Sequence, residues 1–166
     1  MKLALPNPGR LCYNEWTAQT ERNGAFMKDQ TCGYCTRKQE LLDGFGIYVC
    51  DLASSVLVLF KEQSHPGRCI VAYKEHTSEM VELTGEERSA FFADVNRVAK
   101  ALHAAFHPDK INYGAYGDTS GHMHFHLVPK YKDQAEWAST FAMNPEKVFL
   151  TQPEYDEIIE KIKANL

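Results

Sequence analysis

The 166 residues suit one domain with a substantial core, and 24% charged against 44% apolar residues is the balance of a soluble globular chain. A net charge of −4 with no long basic run argues against the positive footprint of non-specific nucleic-acid binding. It leaves a nucleotide substrate open, because a small phosphate site needs only a few local donors. No apolar run approaches the roughly 20 residues of a membrane span, and residues 1–8 lack the apolar stretch of a signal peptide, so the sequence reads as cytoplasmic with no membrane partner.

Residues 1–30 are polar and turn-rich and read as an N-terminal arm. The chain has five cysteines, Cys12, Cys32, Cys35, Cys50 and Cys69, an odd count that argues against a disulfide framework in a reducing compartment. Cys50 and Cys69 sit in apolar runs and are expected to act as small core hydrophobes. Cys32-Gly33-Tyr34-Cys35 has the spacing of a zinc knuckle. A closed tetrahedral site needs two further ligands. His65, His76, His107 and His122 are available, and spacing does not choose among them. A redox pair would ask for a surrounding βαβ pattern, which is missing, and two unliganded cysteines are the remaining reading.

Gly44 and Gly46 introduce three short β-branched runs, 47–50, 56–60 and 69–73, separated by Ser54-Ser55 and His65-Pro66-Gly67. This spacing predicts an antiparallel meander. Thr84 with Glu87 three residues on forms a capping box. Phe91, Val95, Val98, Leu102 and Phe106 follow at helical spacing until His107-Pro108 stops the helix. Two more strands are expected at 111–115 and 122–128, joined by a turn containing Gly114, Gly117, Asp118, Thr119, Ser120 and Gly121. Thr151 and Glu154 cap a last helix with Tyr155, Ile158, Ile159, Ile162 and Leu166 on one face. The expected fold is α+β: an antiparallel sheet of about five strands, one long helix and a C-terminal helix.

Three of the seven histidines stand at His122, His124 and His126. In a strand they share one face, while Met123, Phe125 and Leu127 point to the core. An exposed polar face that happens to be histidine, and a catalytic metal held by the trio, are two readings. The third is nucleophilic catalysis. A neutral imidazole nitrogen attacks an α-phosphorus to give a covalent nucleotidyl-imidazole, which water then releases. A neighbouring imidazole protonates the leaving group. In the preceding turn the glycines, Gly117 among them, let backbone N–H groups approach a phosphate, and Thr119 and Ser120 add hydroxyl donors. A plain hairpin is the bland reading of that turn.

His122-Met123-His124-Phe125-His126-Leu127-Val128 matches the His-φ-His-φ-His-φ-φ signature, and the chain resembles the histidine triad (HIT) superfamily over roughly residues 30–132. The Cys-x-x-Cys pair, the segment from Gly67 to His76, the long helix, Asn112-x-Gly114 and Pro129-Lys130-Tyr131 share in the resemblance. It points to the bacterial branch related to dinucleoside polyphosphate hydrolases and nucleoside phosphoramidases. It implies a catalytic domain over 31–132, a C-terminal extension over 133–166 and a homodimer. It implies that His124 is the nucleophile and His126 its assistant at the leaving group. Asn112 and the stretch around Thr119 and Ser120 would hold ribose and phosphates. By the same resemblance a structural zinc would be held by Cys32, Cys35, His76 and His122.

The sequence departs from that family in three places. Asp118 stands where many members have Gln, setting a carboxylate beside the phosphate. Arg68 replaces the usual His after Gly67 and offers a guanidinium for phosphate. The ribose-gripping acid after the second strand has Glu62 as its nearest match. Alternatives to a nucleotide hydrolase or transferase are therefore a metalloenzyme with a His-ligated catalytic metal and a nucleotide-binding protein without turnover.

Overall fold

The computed structural model describes residues 28–134, 136–142 and 146–166. The N-terminal arm, with Cys12, lies almost wholly outside these residues. Five antiparallel strands form one sheet: β1 (Gly46–Asp51), β2 (Ser55–Phe60), β3 (Cys69–Tyr73), β4 (Lys110–Ala115) and β5 (His124–Lys130). Their spatial order is β1-β2-β3-β5-β4, so the first three strands are the expected meander and β5 inserts beside β3. The turn before β3 depends on Gly67, whose φ of 87° suits glycine, and a Cβ there would press on the Phe106 ring at 3.0 Å.

Each face of the sheet has its own core, as expected when β3 is buried throughout and β2 up to its last residue, Phe60. One face carries the long helix α3 (Gly85–Phe106) and the C-terminal helix α4 (Gln152–Lys163). Phe91, Val95, Val98 and Leu102 of α3 pack with Tyr155, Ile159 and Ile162 of α4 against Leu57, Val71 and Leu127 of the sheet. Both capping boxes form: Thr84 with Glu87, and Thr151 with Glu154. The helix face also holds a buried charge, Asp94, whose Oδ2 accepts from Ser54 N at 2.7 Å, Ser54 Oγ at 3.0 Å and Ser55 Oγ at 2.7 Å. It ties α3 to the β1–β2 turn.

The opposite face is covered by two short helical turns, α1 (Gly33–Thr36) and α2 (Gln39–Leu42). Tyr34 and Leu42 from these turns pack on Val56, Val58, Ile70 and Ala72. Val56 pairs with Ala72 and Ala72 with His124; Val58 pairs with Ile70 and Ile70 with His126. Cross-strand partners share a face, so the apolar rows of the inner strands lead directly to the two histidines.

Candidate active site

His122 lies ahead of the β5 ladder, which begins at His124, two residues later than the alternation alone suggests. The chain bends at Gly121, whose φ is 56°, and Met123 N then donates to Thr77 O at 2.7 Å. His122 is fully buried, and its Nε2 lies 2.7 Å from the Tyr73 carbonyl oxygen. A carbonyl only accepts, so Nε2 carries the hydrogen and Nδ1 keeps its lone pair.

That lone pair faces Cys32, Cys35 and His76. The four ligand atoms lie within 4.8 Å of one another. His122 Nδ1 is 3.3 Å from His76 Nδ1, and the sulfur–nitrogen separations are 3.5 Å (Cys32 to His122), 3.3 Å (Cys35 to His76) and 3.6 Å (Cys35 to His122). A tetrahedral zinc with such donors separates two nitrogens by about 3.3 Å and a nitrogen from a sulfur by about 3.5 Å. The Cys2His2 group therefore fits a zinc ion in donor type and spacing. The hydrogen bond from His122 to Tyr73 O is the outer contact that orients a ligating imidazole. Without a cation, burial pushes the Cys35 thiol up to about 11.

His124 shows the reverse tautomer. Its Nδ1 lies 2.7 Å from the His122 carbonyl oxygen and must donate, which leaves the lone pair on Nε2. Burial holds its pKa below the ordinary value, so the ring is neutral at neutral pH. Burial and the neighbouring Arg68 push His126 down to about 3. Arg68 Nη2 lies 3.5 Å from His126 Nδ1; a guanidinium only donates, so the His126 hydrogen sits on Nε2. The His124 and His126 rings are 5.2 Å apart.

His124 and His126 line a cavity of about 440 Å³ with Tyr34, Phe45, Phe60, Ile70, Tyr116, Asp118, Thr119 and Ser120. One wall is aromatic and aliphatic; the other is the hydroxyl-bearing turn. Tyr34 comes from inside the Cys-x-x-Cys pair, and its ring lies 5.1 Å from His122 and 5.3 Å from His124. Gly114 pairs with His126 in β4, and a Cβ on it would meet the Tyr116 ring at 2.3 Å. The absent side chain lets Tyr116 lie over the strand, 6.3 Å from the His126 ring.

A family model described as HIT domain matches residues 47–133. The chain belongs to the histidine triad family. Among curated proteins none matches it in sequence. Its fold is similar to that of several solved HIT proteins. A HIT protein from Sinorhizobium meliloti superposes with a TM-score of 0.70 at 23% identity, over 76% of this chain and 94% of that one. A hypothetical histidine triad nucleotide-binding protein from Sulfolobus tokodaii gives 0.62 at 17% identity, over 81% and 91%. A zinc-bound HIT family protein from Mycobacterium smegmatis gives 0.55 at 18% identity, over 80% and 94%. The α+β reading and the HIT assignment of the sequence both hold.

The other expected HIT residues fall in different places. Asp118, Thr119 and Ser120 line the cavity, and Gly117 lines a second cavity that adjoins it. Asn112 is half-buried on the histidine face of β4 but lines neither cavity. Arg68 also lines neither. At 1% exposure it stacks on Phe60, 4.1 Å from the ring centroid, and faces Glu62 Oε2 at 3.5 Å. Glu62 in turn accepts from Ser64 N at 2.6 Å and Val148 N at 3.2 Å, so this carboxylate holds the loop before β3 rather than facing the cavity.

The residues that the sequence did not single out are the cavity walls Phe45, Phe60 and Tyr116, and the segment around Phe141. Phe141 is buried 5.4 Å from the Arg68 guanidinium and 6.4 Å from the Tyr116 ring. Lys130, the last residue of β5, holds that segment by donating to Glu136 O at 2.5 Å and Ser139 O at 2.7 Å. Glu136 Oε2 lies 2.6 Å from His65 Nε2. His65 is thereby engaged away from the Cys2His2 group. Tyr34 carried a usable signal, its place between two cysteines; the others are joined to the site only by tertiary contacts. Among the described residues no helix is long and apolar enough to cross a membrane.

Proposed function

We propose that this chain is a nucleotide hydrolase or transferase that works through a covalent nucleotidyl-His124 intermediate. The observation that carries the reading is the hydrogen bond from His124 Nδ1 to the His122 carbonyl, at 2.7 Å. It leaves the lone pair of the neutral ring, kept neutral by burial, on Nε2, at a cavity whose apolar wall suits a base and whose turn suits a phosphate.

In this reading the base lies against Tyr34, Phe45 and Phe60. Thr119, Ser120 and backbone N–H groups of the Gly-rich turn hold the α-phosphate. His124 Nε2 attacks phosphorus and the leaving group departs with the bonding pair. His126, neutral at neutral pH, donates a hydrogen bond from Nε2–H to the departing atom. Arg68 keeps that tautomer and acts through His126 as a positioning residue. Water then attacks phosphorus and the bond to His124 Nε2 breaks, releasing the nucleoside monophosphate and returning the electron pair to the imidazole.

Cys32, Cys35, His76 and His122 would hold a structural zinc, a reading in keeping with the zinc-bound relative from Mycobacterium smegmatis. Bound there, zinc supplies no reacting species; it anchors the residue whose carbonyl orients His124. A catalytic metal on all three histidines is disfavoured by the Arg68 guanidinium, a fixed positive charge 3.5 Å from His126 Nδ1. Homodimerisation through β4 agrees with its place at the sheet edge and with the exposure of Tyr113 upon it.

The test is His124→Ala assayed on adenosine 5′-phosphoramidate and on diadenosine polyphosphate. A loss of roughly 10³-fold or more in kcat/KM supports the reading. Retained hydrolysis would sink it. Tight nucleotide binding by a wild-type protein that turns over neither substrate would favour the non-catalytic alternative.

A further inference from the structure

His124 lies between two cavities. Besides the apolar one, it lines a second of about 570 Å³ with Ser78, Glu79, Met80, Gly117 and Asp118 among its neighbours. His124, Tyr116 and Asp118 belong to both. The charged residues lining the second cavity are Glu79 and Asp118, and no lysine or arginine lines it. Both carboxylates are exposed, and among the described residues neither is in a salt bridge. His124 itself is 7% exposed, and its Nε2 carries the lone pair.

With a base in the apolar cavity and the departing atom beside His126, the second cavity, which shares Tyr116 and Asp118 with the first, is left for the tail that the departing group carries. A polyphosphate would bring several negative charges against two carboxylates. The Thr119 and Ser120 hydroxyls line the apolar cavity alone, and what the second cavity offers a phosphate, the Ser78 hydroxyl and the turn residues Gly117 and Gly121, is neutral and does not offset the two carboxylates. An amine-bearing group would bring a positive charge to the same place.

We infer that the cavity lined by Glu79 and Asp118 is a leaving-group subsite that selects by charge, favouring amines with a cationic tail and rejecting polyphosphates. The inference rests on the reading of His124 as nucleophile. In the favoured reaction the His124 lone pair forms a bond to phosphorus, and the phosphorus–nitrogen bond of the phosphoramidate breaks. The departing nitrogen keeps the pair and gains a proton. One water supplies that proton and the hydroxyl that later releases the monophosphate, so phosphoramidate and water give monophosphate and amine.

The experiment compares kcat/KM of the full chain on three adenosine 5′-phosphoramidates with equal alkyl tails ending in an ammonium, a methyl or a carboxylate. The expected order is ammonium above methyl above carboxylate, with steps of about fivefold that shrink as salt is raised. In the Glu79→Gln/Asp118→Asn double variant the order flattens, and in Asp118→Lys it inverts. Equal wild-type rates on all three, or preference for the carboxylate tail, overturn the inference and leave the nucleophile in place. An order that persists in the double variant overturns the assignment to these carboxylates. Absence of turnover on every tail, with no adenylylated histidine, overturns both the subsite and the nucleophile.

Discussion

The backbone carbonyl of His122 accepts from His124 Nδ1 at 2.7 Å, while the His122 side chain gives Nδ1 to the Cys2His2 group. One residue thus joins the metal-type cluster to the proposed nucleophile through its two ends. Disturbing the cluster should reach His124 without touching it.

That link predicts the effect of Cys35→Ser. Cys35 Sγ is within 3.6 Å of both cluster imidazoles. The variant should lose stoichiometric zinc, read by elemental analysis, and melt at least about 5 °C lower, because binding energy at such a site is folding energy. Chelator should lower the melting temperature of the wild type and leave the variant unmoved. Equal zinc content in the two proteins rules out the Cys2His2 assignment.

A second prediction concerns acid. The folded pKa of His126, about 3, lies below its ordinary value of 6.5. The unfolded chain therefore binds more protons between these values, and stability rises with pH across that window. The contribution is fully retained above 6.5 and is lost as pH falls towards the folded value. While the difference is one proton, the slope is about 1.4 kcal/mol per pH unit. Urea denaturation at several pH values should show wild type steeper than His126→Gln in this window. Zinc release affects both proteins, so their difference isolates His126. Parallel curves would show that His126 titrates alike in both states.

The Glu62–Arg68 pair makes a third prediction. Arg68 is stacked on Phe60 and Glu62 is nearly buried. Glu62→Gln leaves a buried guanidinium without its carboxylate and should cost about 3 kcal/mol in denaturant unfolding. Arg68→Lys should not restore wild-type stability, because an ammonium lacks the planar stack. A loss below about 0.5 kcal/mol in Glu62→Gln means the pair is solvated and does not hold Arg68 in place.

Much of this was legible in the chain. The meander, both capping boxes and the apolar stripe of α3 follow from local periodicity and turn residues, which act over a few positions. The alternation at His124 and His126 put them on one face. It misplaced the start of β5, because the bend at Gly121 and the bond from Met123 N to Thr77 O are set by a segment 46 residues earlier. Arg68 looked like a phosphate ligand by its charge and its place before β3. Its burial depends on Phe60, Glu62 and Phe141, brought together only by the fold. Glu62 was the nearest acid to the expected ribose site, yet Ser64 and Val148 claim it. Nothing in the sequence marks the aromatic walls Phe45, Phe60 and Tyr116, since apolar periodicity does not distinguish a cavity lining from a packed interior.

The most direct measurement is rapid quenching of the wild-type chain with a slow adenosine 5′-phosphoramidate, followed by peptide mass spectrometry. The account predicts an adenylyl group on His124, absent from His124→Ala and lost on standing in water. Turnover without any adduct, or an adduct on His126 or His122 with His124 unmodified, would contradict it.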